Sequence, residues 1–191
     1  MTEDAELLRS SVEAPELFEA IFERHYDAIL RYARQRVGHS VGEEIAARTF
    51  EIAFERRAVF DPRRPSARPW LYGIATNLIR HHHRDEKTHL AAIARLPIDP
   101  DLDDVDDPTR LDAERLRPAL LVSLRELKPA DREAFVLFAV SELTYEEIAH
   151  ALDIPVGTVR SRIYRARHRL RELMGPQAAS VDEDPRGTDR I

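Results

Sequence analysis

The sequence predicts an all-α protein of two small helical domains, joined by a flexible acidic linker, with a helix-turn-helix in the C-terminal domain. Apolar residues recur at spacings of three and four along both halves of the chain, and no segment shows the strict alternation of a strand. A stretch rich in aspartate and proline separates the halves. We therefore expect domains over residues 15–96 and 109–174, a linker over 97–108 and a disordered tail over 175–191.

Composition excludes several classes of protein. The 191 residues are 43% hydrophobic and 34% charged, which is typical of a soluble, helix-rich chain. The longest apolar runs, such as residues 134–140, fall far short of the roughly 20 residues that span a bilayer. The acidic N-terminus does not resemble a secretory signal, and the absence of cysteine excludes disulfides and thiolate metal sites. A cytoplasmic location is expected.

The first domain contains three predicted helices, over about residues 17–38, 41–60 and 67–83. Asp61 and Pro62 stop the second helix, and a short basic loop leads from there to the third. The apolar face of the first helix consists of Leu17, Phe18, Ile21, Phe22, His25, Ile29 and Tyr32, and that of the third consists of Trp70, Leu71, Ile74, Ala75 and Leu78.

The linker carries the acidic charge of the chain. The formal net charge is −6, and residues 97–109 contain six aspartates and no basic residue. Like-charge repulsion and three prolines disfavour a helix or a packed core there. Outside this segment the chain is close to neutral with local basic clusters, so the net charge does not argue against nucleic-acid binding. After Met174, Gly175 and Pro176 end the last helix, and the polar tail begins.

The second domain contains the helix-turn-helix. A stripe of leucines (Leu116, Leu120, Leu124, Leu127) predicts one helix, in which Pro118 lies in the first turn or forms a kink, and a helix from Pro129 through Phe138 follows. Thr144 and Glu147 form a capping box at the start of a short helix. The tight turn 153–155 then leads into a long helix from Val156, and two helices joined by three or four residues are typical of this motif.

The long helix has one apolar and one basic side. At 3.6 residues per turn, Val159, Ile163, Ala166, Leu170 and Leu173 share a face that packs against the domain. The opposite side is suited to a major groove. Arginine can bind guanine there, and the side chains of serine and tyrosine can reach base edges. The alternative is a solvated arginine-rich terminal helix, which the preceding turn disfavours. The exposed face consists of Ser161, Tyr164, Arg165 and His168, with Arg160, Arg162, Arg167, Arg169 and Arg171 on the flanks.

Three segments resemble a known family. Residues 143–170, LTYEEIAHALDIPVGTVRSRIYRARHRL, closely resemble the fourth conserved region of extracytoplasmic-function sigma factors of the sigma-70 superfamily, subunits that direct bacterial RNA polymerase to promoters. Residues 42–50, GEEIAARTF, are similar to the polymerase-binding helix of this family. Residues 68–78, RPWLYGIATNL, are similar to its promoter-melting helix.

The resemblance implies roles for individual residues. In the second domain it implies contacts with the minus-thirty-five promoter element, and in the first domain contacts with the minus-ten element and with polymerase. The minus-thirty-five residues are Arg160, Ser161, Tyr164, Arg165 and Arg167; the minus-ten residues are Arg63, Arg64, Trp70, Asn77 and Arg80; the polymerase-binding residues are Glu43, Glu44, Arg48 and Phe50. Trp70 has a second interpretation, that of a core residue, because it shares a helix face with Leu71 and Ile74.

The chain departs from the family pattern at two positions. Ala47 and Arg48 stand where the polymerase-binding helix usually has Gln-Glu, so the polymerase contact is expected to rest mainly on Glu43, Glu44 and apolar neighbours. Asp153 stands where glycine is common in the turn, and aspartate tolerates a left-handed backbone better than most residues do.

Neither catalysis nor metal binding is expected. His81, His82 and His83 are consecutive, so their side chains point about 100° apart on a helix and do not converge on one ion. The linker carboxylates lack a cleft, a fixed separation and a partner base. We therefore expect no enzyme activity, no cofactor and no metal.

Two functions remain. The resemblance implies a sigma factor whose partners are core RNA polymerase, promoter DNA and an anti-sigma factor, without membrane insertion. The alternative is a stand-alone helix-turn-helix regulator that uses its first domain as a sensor or dimerisation module. A sensor requires a ligand pocket, whereas a basic loop followed by an aromatic-bearing helix is suited to single-stranded promoter DNA.

Overall fold

The computed structural model describes residues 3–93 and 122–174, and within these ranges it contains helices and no strand. This confirms the all-α prediction. The linker over 97–108, the tail over 175–191 and residues 116–120 lie outside the described residues. The α-helices are α1 (Asp4–Ser10), α2 (Glu19–Val37), α3 (His39–Glu55), α4 (Arg68–Ile93), α5 (Pro129–Val140), α6 (Tyr145–Leu152) and α7 (Val156–Met174), with short 3₁₀ turns at Pro15–Phe18 and Arg57–Val59.

Helices α2 and α3 pack closely against each other. A Cβ atom on Gly42 of α3 would lie 2.7 Å from the backbone of Arg34 in α2, so only glycine allows this approach. The helix ending near Gly38 is confirmed. Two members of its predicted apolar face, Leu17 and Phe22, are instead 38% and 40% exposed, and Leu17 lies in the 3₁₀ turn that precedes α2.

Two helix boundaries differ from prediction. The second helix ends at Glu55 rather than Phe60. The guanidinium of Arg57 donates to the Phe54 carbonyl oxygen and lies over the Phe54 ring at 3.9 Å, which satisfies a terminal carbonyl and stabilises an early end. Helix α4 continues to Ile93, beyond the predicted end at His83, because neither glycine nor proline interrupts the chain before Pro97.

The apolar core runs through both halves of the chain. Leu71, Ala75 and Ile79 of α4 are buried, and the same cluster of buried residues extends to Leu137 and Ile148 of the second half. Helix α4 therefore packs against α2 and α3 on one side and against α6 on the other.

Local sequence signals define the helix-turn-helix. The Glu147 backbone N–H donates to the Thr144 hydroxyl at 3.2 Å, and the Thr144 N–H donates to the Glu147 carboxylate at 2.8 Å, which confirms the capping box. Asp153 ends α6 in the left-handed region at φ 53°, as expected of aspartate in this turn. Ile148, Ala149 and Leu152 face inward as predicted.

Candidate nucleic-acid interface

Helix α7 presents one side to the core and the other to solvent. Val159, Ile163, Ala166 and Leu170 are buried, which confirms the apolar face read from the sequence. Leu173, also assigned to that face, is 38% exposed because it lies in the last turn of the helix. The helix axis is about 28 Å long at 1.5 Å per residue, long enough to cross a major groove.

The exposed side of α7 carries three side chains suited to base reading. Arg160, Ser161 and Tyr164 are exposed, and Tyr164 retains 68% of its accessible area. The Ser161 hydroxyl donates to the Thr158 carbonyl oxygen at 3.0 Å, which leaves its oxygen as an acceptor facing outward. All three lie in the first half of the helix, the half that enters the groove in helix-turn-helix proteins.

Arg165 has a protein partner that the sequence did not reveal. Its Nε and Nη2 atoms donate to the two carboxylate oxygens of Asp131 at 3.1 and 2.7 Å. The Asp131 side chain is only 8% exposed and lies in the first turn of α5, and its hydrogen bonds raise the pKa of Arg165. In this arrangement Arg165 joins α7 to α5, so it reaches a base only by exchanging that partner.

Replacing Arg165 by alanine is therefore expected to lower the free energy of unfolding by about 1–3 kcal/mol, because a nearly buried carboxylate loses a bidentate partner. Thermal or urea unfolding measures the loss. Arg165→Lys keeps the charge but cannot form the bidentate hydrogen bonds of the guanidinium, so its stability should lie between those of wild type and Arg165→Ala. The double variant Asp131→Asn with Arg165→Ala should recover part of the loss. Equal stability of wild type and Arg165→Ala would contradict this role.

Arg167 also contributes to packing. It is half-buried, and its guanidinium carbon lies 4.9 Å from the centroid of the Phe138 ring in α5. Sequence reasoning placed Arg167 on the flank of the DNA-facing side. The contact of its guanidinium with Phe138 is tertiary, and the sequence does not reveal it.

The loop over residues 61–66 is organised by Asp61. Its carboxylate accepts from the Arg63 backbone N–H at 3.1 Å and from the Arg63 guanidinium at two positions, each at 3.0 Å. These hydrogen bonds hold the pKa of Asp61 at about 2. The Arg63 side chain nevertheless remains 87% exposed, and Arg64 is 42% exposed. The loop thus presents two cations from a turn that an aspartate side chain fixes.

Trp70 lies against the end of this loop. Its ring centroid is 5.3 Å from that of Phe60, and the side chain is half-buried. This contact agrees with the interpretation of Trp70 as a packing residue, and it links the loop to the first turn of α4. The sequence had suggested this interpretation because Trp70 shares a helix face with Leu71 and Ile74.

The two remaining minus-ten candidates lie side by side on α4. Asn77 is exposed and accepts from Arg80 at 3.2 Å. Arg80 also donates from Nε to the Glu133 carboxylate at 2.7 Å and from Nη2 at 2.5 Å, and Glu133 is 7% exposed. A residue expected to face DNA is therefore paired with a carboxylate of the second half of the chain.

The polymerase-binding candidates divide into surface and core. Glu43, Glu44 and Arg48 are exposed on α3. Glu43 pairs with Arg34 of α2 at 2.5 Å. Phe50 is 4% exposed, and its ring packs against that of Phe22 at 5.0 Å, so it supports the helix from the inside.

The two halves meet through α4 and α6. A Cβ atom on Gly73 would lie 2.8 Å from the Ala151 carbonyl oxygen, so the helix backbones touch there. Arg68 donates to the Ser141 carbonyl oxygen at 2.5 Å and lies 3.5 Å from the Glu142 carboxylate.

The loop over residues 61–66 and the helix-turn-helix are neighbours in this arrangement. Arg64 and the turn over residues 153–156 line one open cleft of about 440 Å³. One contact between the halves is unfavourable. Arg132 of α5 lies near Arg36 of α2, and burial together with this like charge lowers the pKa of Arg132.

The histidine tract lies on α4. His82 and His83 have ring centroids 5.8 Å apart. Among the residues that the structure describes, no three histidine, cysteine, aspartate or glutamate side chains are placed to hold a metal ion together. None of the helices within residues 3–93 and 122–174 combines the length and the apolarity that crossing a membrane requires.

Family models match both halves of the chain. Residues 21–89 match the model described as sigma-70 region 2, and residues 117–170 match that described as sigma-70, region 4. The two models together therefore include α3 and most of α2 and α4 in the first half, and most of the helix-turn-helix in the second.

Similar proteins share these regions. The chain is 31% identical over 168 residues to the ECF RNA polymerase sigma factor SigE of Mycolicibacterium smegmatis, covering 86% of this chain and 64% of the length of that relative. It is 32% identical over 168 residues to the RNA polymerase sigma factor CarQ of Myxococcus xanthus, covering 85% of this chain and 91% of CarQ. A solved structure of CnrH, in complex with the cytosolic domain of CnrY, has a TM-score of 0.64 and 26% identity, covering 94% of this chain and 99% of CnrH.

Proposed function

This chain belongs to the extracytoplasmic-function family of RNA polymerase sigma factors, and we propose that it binds core RNA polymerase, directs it to specific promoters and helps to melt the DNA. The observation that carries the proposal is the presence on one chain of two DNA-suited surfaces of different chemistry. One is the exposed side of α7, suited to duplex DNA. The other is the cationic loop over residues 61–66, here named the minus-ten loop, which is suited to a single strand.

The second domain, residues 109–174, reads the minus-thirty-five element as duplex. Arg160 is suited to guanine O6 and N7, and Ser161 and Tyr164 to neighbouring base edges. Arg165 and Arg167 bind Asp131 and Phe138, and so hold α7 at the angle from which the other three reach the groove.

The first domain, residues 15–96, binds the minus-ten element as single strand. Extruding a base from the duplex costs a few kcal/mol, and contacts to the strand must offset this cost. Arg63 and Arg64 supply cations to the strand backbone, and Asn77 supplies an amide for base recognition. Trp70, packed on Phe60, holds the loop against α4. Arg80 joins this surface once Glu133 releases it.

Promoter binding requires the two halves to separate. The minus-thirty-five and minus-ten elements are about 25 base pairs apart by name, which corresponds to about 85 Å of B-form DNA at 3.4 Å per base pair. In the structure Arg64 and the helix-turn-helix turn share one cleft. Residues 94–121 lie between α4 and the described part of the second domain, and 28 residues reach at most about 90–100 Å when fully extended. The described arrangement is thus a closed form, and the chain between the halves is long enough for an open one.

Several consequences accompany the proposal. The chain performs no chemistry of its own and requires no cofactor or metal, since it acts by binding polymerase and promoter. Its place of action is the cytoplasm, where polymerase and DNA are. An anti-sigma factor is a further partner: the related CnrH is seen in complex with the cytosolic domain of CnrY, and a protein bound across both halves of this chain would stabilise the closed form.

A stand-alone regulator with a sensor domain is less well supported. The cleft of about 440 Å³ is an open surface beside the helix-turn-helix. A second cavity of about 130 Å³ lies between α1 and the minus-ten loop, and it is smaller than the roughly 300 Å³ at which ligand pockets begin. Neither cavity favours a ligand-sensing first domain.

Core binding through α3 is tested by charge reversal. Glu44→Lys should weaken the affinity for core RNA polymerase by about fivefold or more, because Glu44 is exposed on the proposed contact helix and the change places a cation where a carboxylate stood. Surface-immobilised core polymerase and the full-length chain measure this affinity. Glu126→Lys makes the same charge change in the second domain and serves as the control. Equal loss in both variants would show that net charge, rather than α3, is responsible.

A further inference from the structure

The first turn of α1 contains a buried carboxylate with an unusual number of partners. Asp4 is 3% exposed. Its Oδ2 atom accepts from the Ala67 backbone N–H at 2.8 Å, lies 2.8 Å from His25 Nε2 and lies 3.4 Å from the Ser66 hydroxyl. Its Oδ1 atom pairs with Arg24. Burying a carboxylate is costly unless it is hydrogen-bonded and paired, so this set of partners keeps Asp4 in place.

Asp4 remains ionised at neutral pH. Burial alone would raise the pKa of Asp4, but the hydrogen bonds from His25 and Ala67 outweigh burial and hold the pKa at about 2. The anion lies at the start of α4, where it satisfies a terminal backbone N–H and interacts favourably with the helix dipole. The Ser66 hydroxyl accepts from the Arg68 backbone N–H at 3.2 Å, and the carboxylate from α1 supplies the acceptor for the Ala67 N–H.

The same helix also holds the other end of the minus-ten loop. Arg57, on the N-terminal side of the loop, donates from Nε to the Ser11 carbonyl oxygen at 3.0 Å, directly after α1. Between these two attachments, Phe60 and Pro62 line a cavity together with Ala5 of α1. The segment from residue 57 to residue 67 is therefore anchored at one end to α1 and at the other to Ser11, the residue that caps α1.

Anchoring at both ends reduces the number of conformations open to the loop. A loop fixed before it meets its ligand does not lose that conformational entropy on binding. Arg63 and Arg64 lie within the anchored segment and are solvent-accessible. Their positions relative to Asn77 on α4 thus depend on where α1 holds the ends of the loop.

Helix α1 precedes the residues that match the region 2 model, which begins at residue 21. We propose that α1 is a specificity element of this chain, in which Asp4 acts as a positioning residue that fixes the loop over residues 61–66 and thereby sets the base preference at the minus-ten element. The proposal rests on the proposed function. Asp4 itself is buried and acts through Ser66 and Ala67.

The test uses full-length variants with core RNA polymerase. Initiation is measured on promoters that carry every single-base change in the minus-ten and minus-thirty-five elements. Asp4→Ala should reduce the preference for the best minus-ten base by about five- to tenfold. Preferences at the minus-thirty-five element should be unchanged. Asp4→Asn, which keeps an acceptor for the Ala67 N–H but loses the charge, should give an intermediate loss.

Two further variants separate positioning from general instability. Arg57→Ala releases the opposite end of the loop without touching Asp4, and it should change preference at the same minus-ten positions. Ile29→Val weakens the core of the first domain at a residue that is 1% exposed, and it should lower all promoters by one common factor.

The outcomes are distinguishable. An unchanged minus-ten preference in Asp4→Ala, or a uniform decrease like that of Ile29→Val, overturns the role of α1 and leaves the sigma function standing. A wild-type chain that does not support promoter-dependent initiation overturns both.

Discussion

Joining the two halves covalently in the closed form is expected to abolish promoter-directed initiation. Arg68 of α4 and Glu142, in the segment between α5 and α6, face each other across the contact, with 3.5 Å between guanidinium and carboxylate. The chain has no cysteine, so Arg68→Cys with Glu142→Cys introduces the only two thiols. A cleavable bismaleimide that spans the length of an Arg–Glu pair should connect them.

The expected loss follows from geometry. A closed chain cannot place α7 and the minus-ten loop about 85 Å apart, so the binding-competent fraction falls to the fraction that escaped crosslinking. Run-off transcription with core polymerase measures activity, and gel mobility measures crosslinking. Cleaving the bismaleimide crosslink should restore activity. Each single cysteine variant treated with the reagent should remain active. Full activity of a completely crosslinked sample would show that the halves need not separate.

Replacing Arg160 by alanine is expected to remove about 1–3 kcal/mol of discrimination at one base of the minus-thirty-five element, a factor of roughly 5 to 150. Arg160 is exposed in the first half of α7, and no hydrogen bond to a protein side chain holds it away from the groove among the contacts of the described residues. Arg171 lies three turns further along the same helix, about 16 Å away along the axis.

Arg171→Ala is the matched control for Arg160→Ala. It removes the same charge from the same helix and should weaken binding almost equally on all sequences while lowering the salt dependence. Holoenzyme transcription from single-base promoter variants distinguishes the two effects. If Arg160→Ala lowers every promoter by the same factor as Arg171→Ala, Arg160 contacts phosphate and the base-reading assignment fails at that position.

Local signals made the helix-turn-helix predictable. The capping box at Thr144, the left-handed Asp153 and the apolar face of α7 depend on residues close in sequence, so periodicity and turn chemistry revealed them. The helical periodicity of 3.6 residues per turn also placed the Arg165 side chain on the exposed face. Its carboxylate partner, Asp131, is 34 residues away, and a pairing across helices leaves no periodic trace in the sequence.

The same limit applies to the first domain. The sequence indicated the basic loop and α4, but not that Arg80 pairs with Glu133 or that Phe50 is buried. It gave no role to Asp4, whose partners Ala67 and His25 are distant in sequence. The end of the second helix at Glu55 was missed because the Arg57 guanidinium covers the Phe54 carbonyl three residues earlier, a side-chain contact that apolar periodicity does not indicate. Patterns of neighbouring residues specify elements, whereas the choice of partner for each charged group depends on the packed structure.

On the proposed function, this chain confers promoter selectivity on core RNA polymerase through two separate DNA elements. Transcription start sites mapped in vitro on genomic DNA, with core polymerase in the presence and absence of the full-length chain, test it most directly. We predict new start sites that appear only with the chain and that share two motifs whose centres are about 25 base pairs apart. With Arg160→Ala, the motif farther from the start site should no longer be shared. A chain that binds DNA fragments by itself and leaves the start sites of core polymerase unchanged would overturn the sigma function and favour a stand-alone regulator.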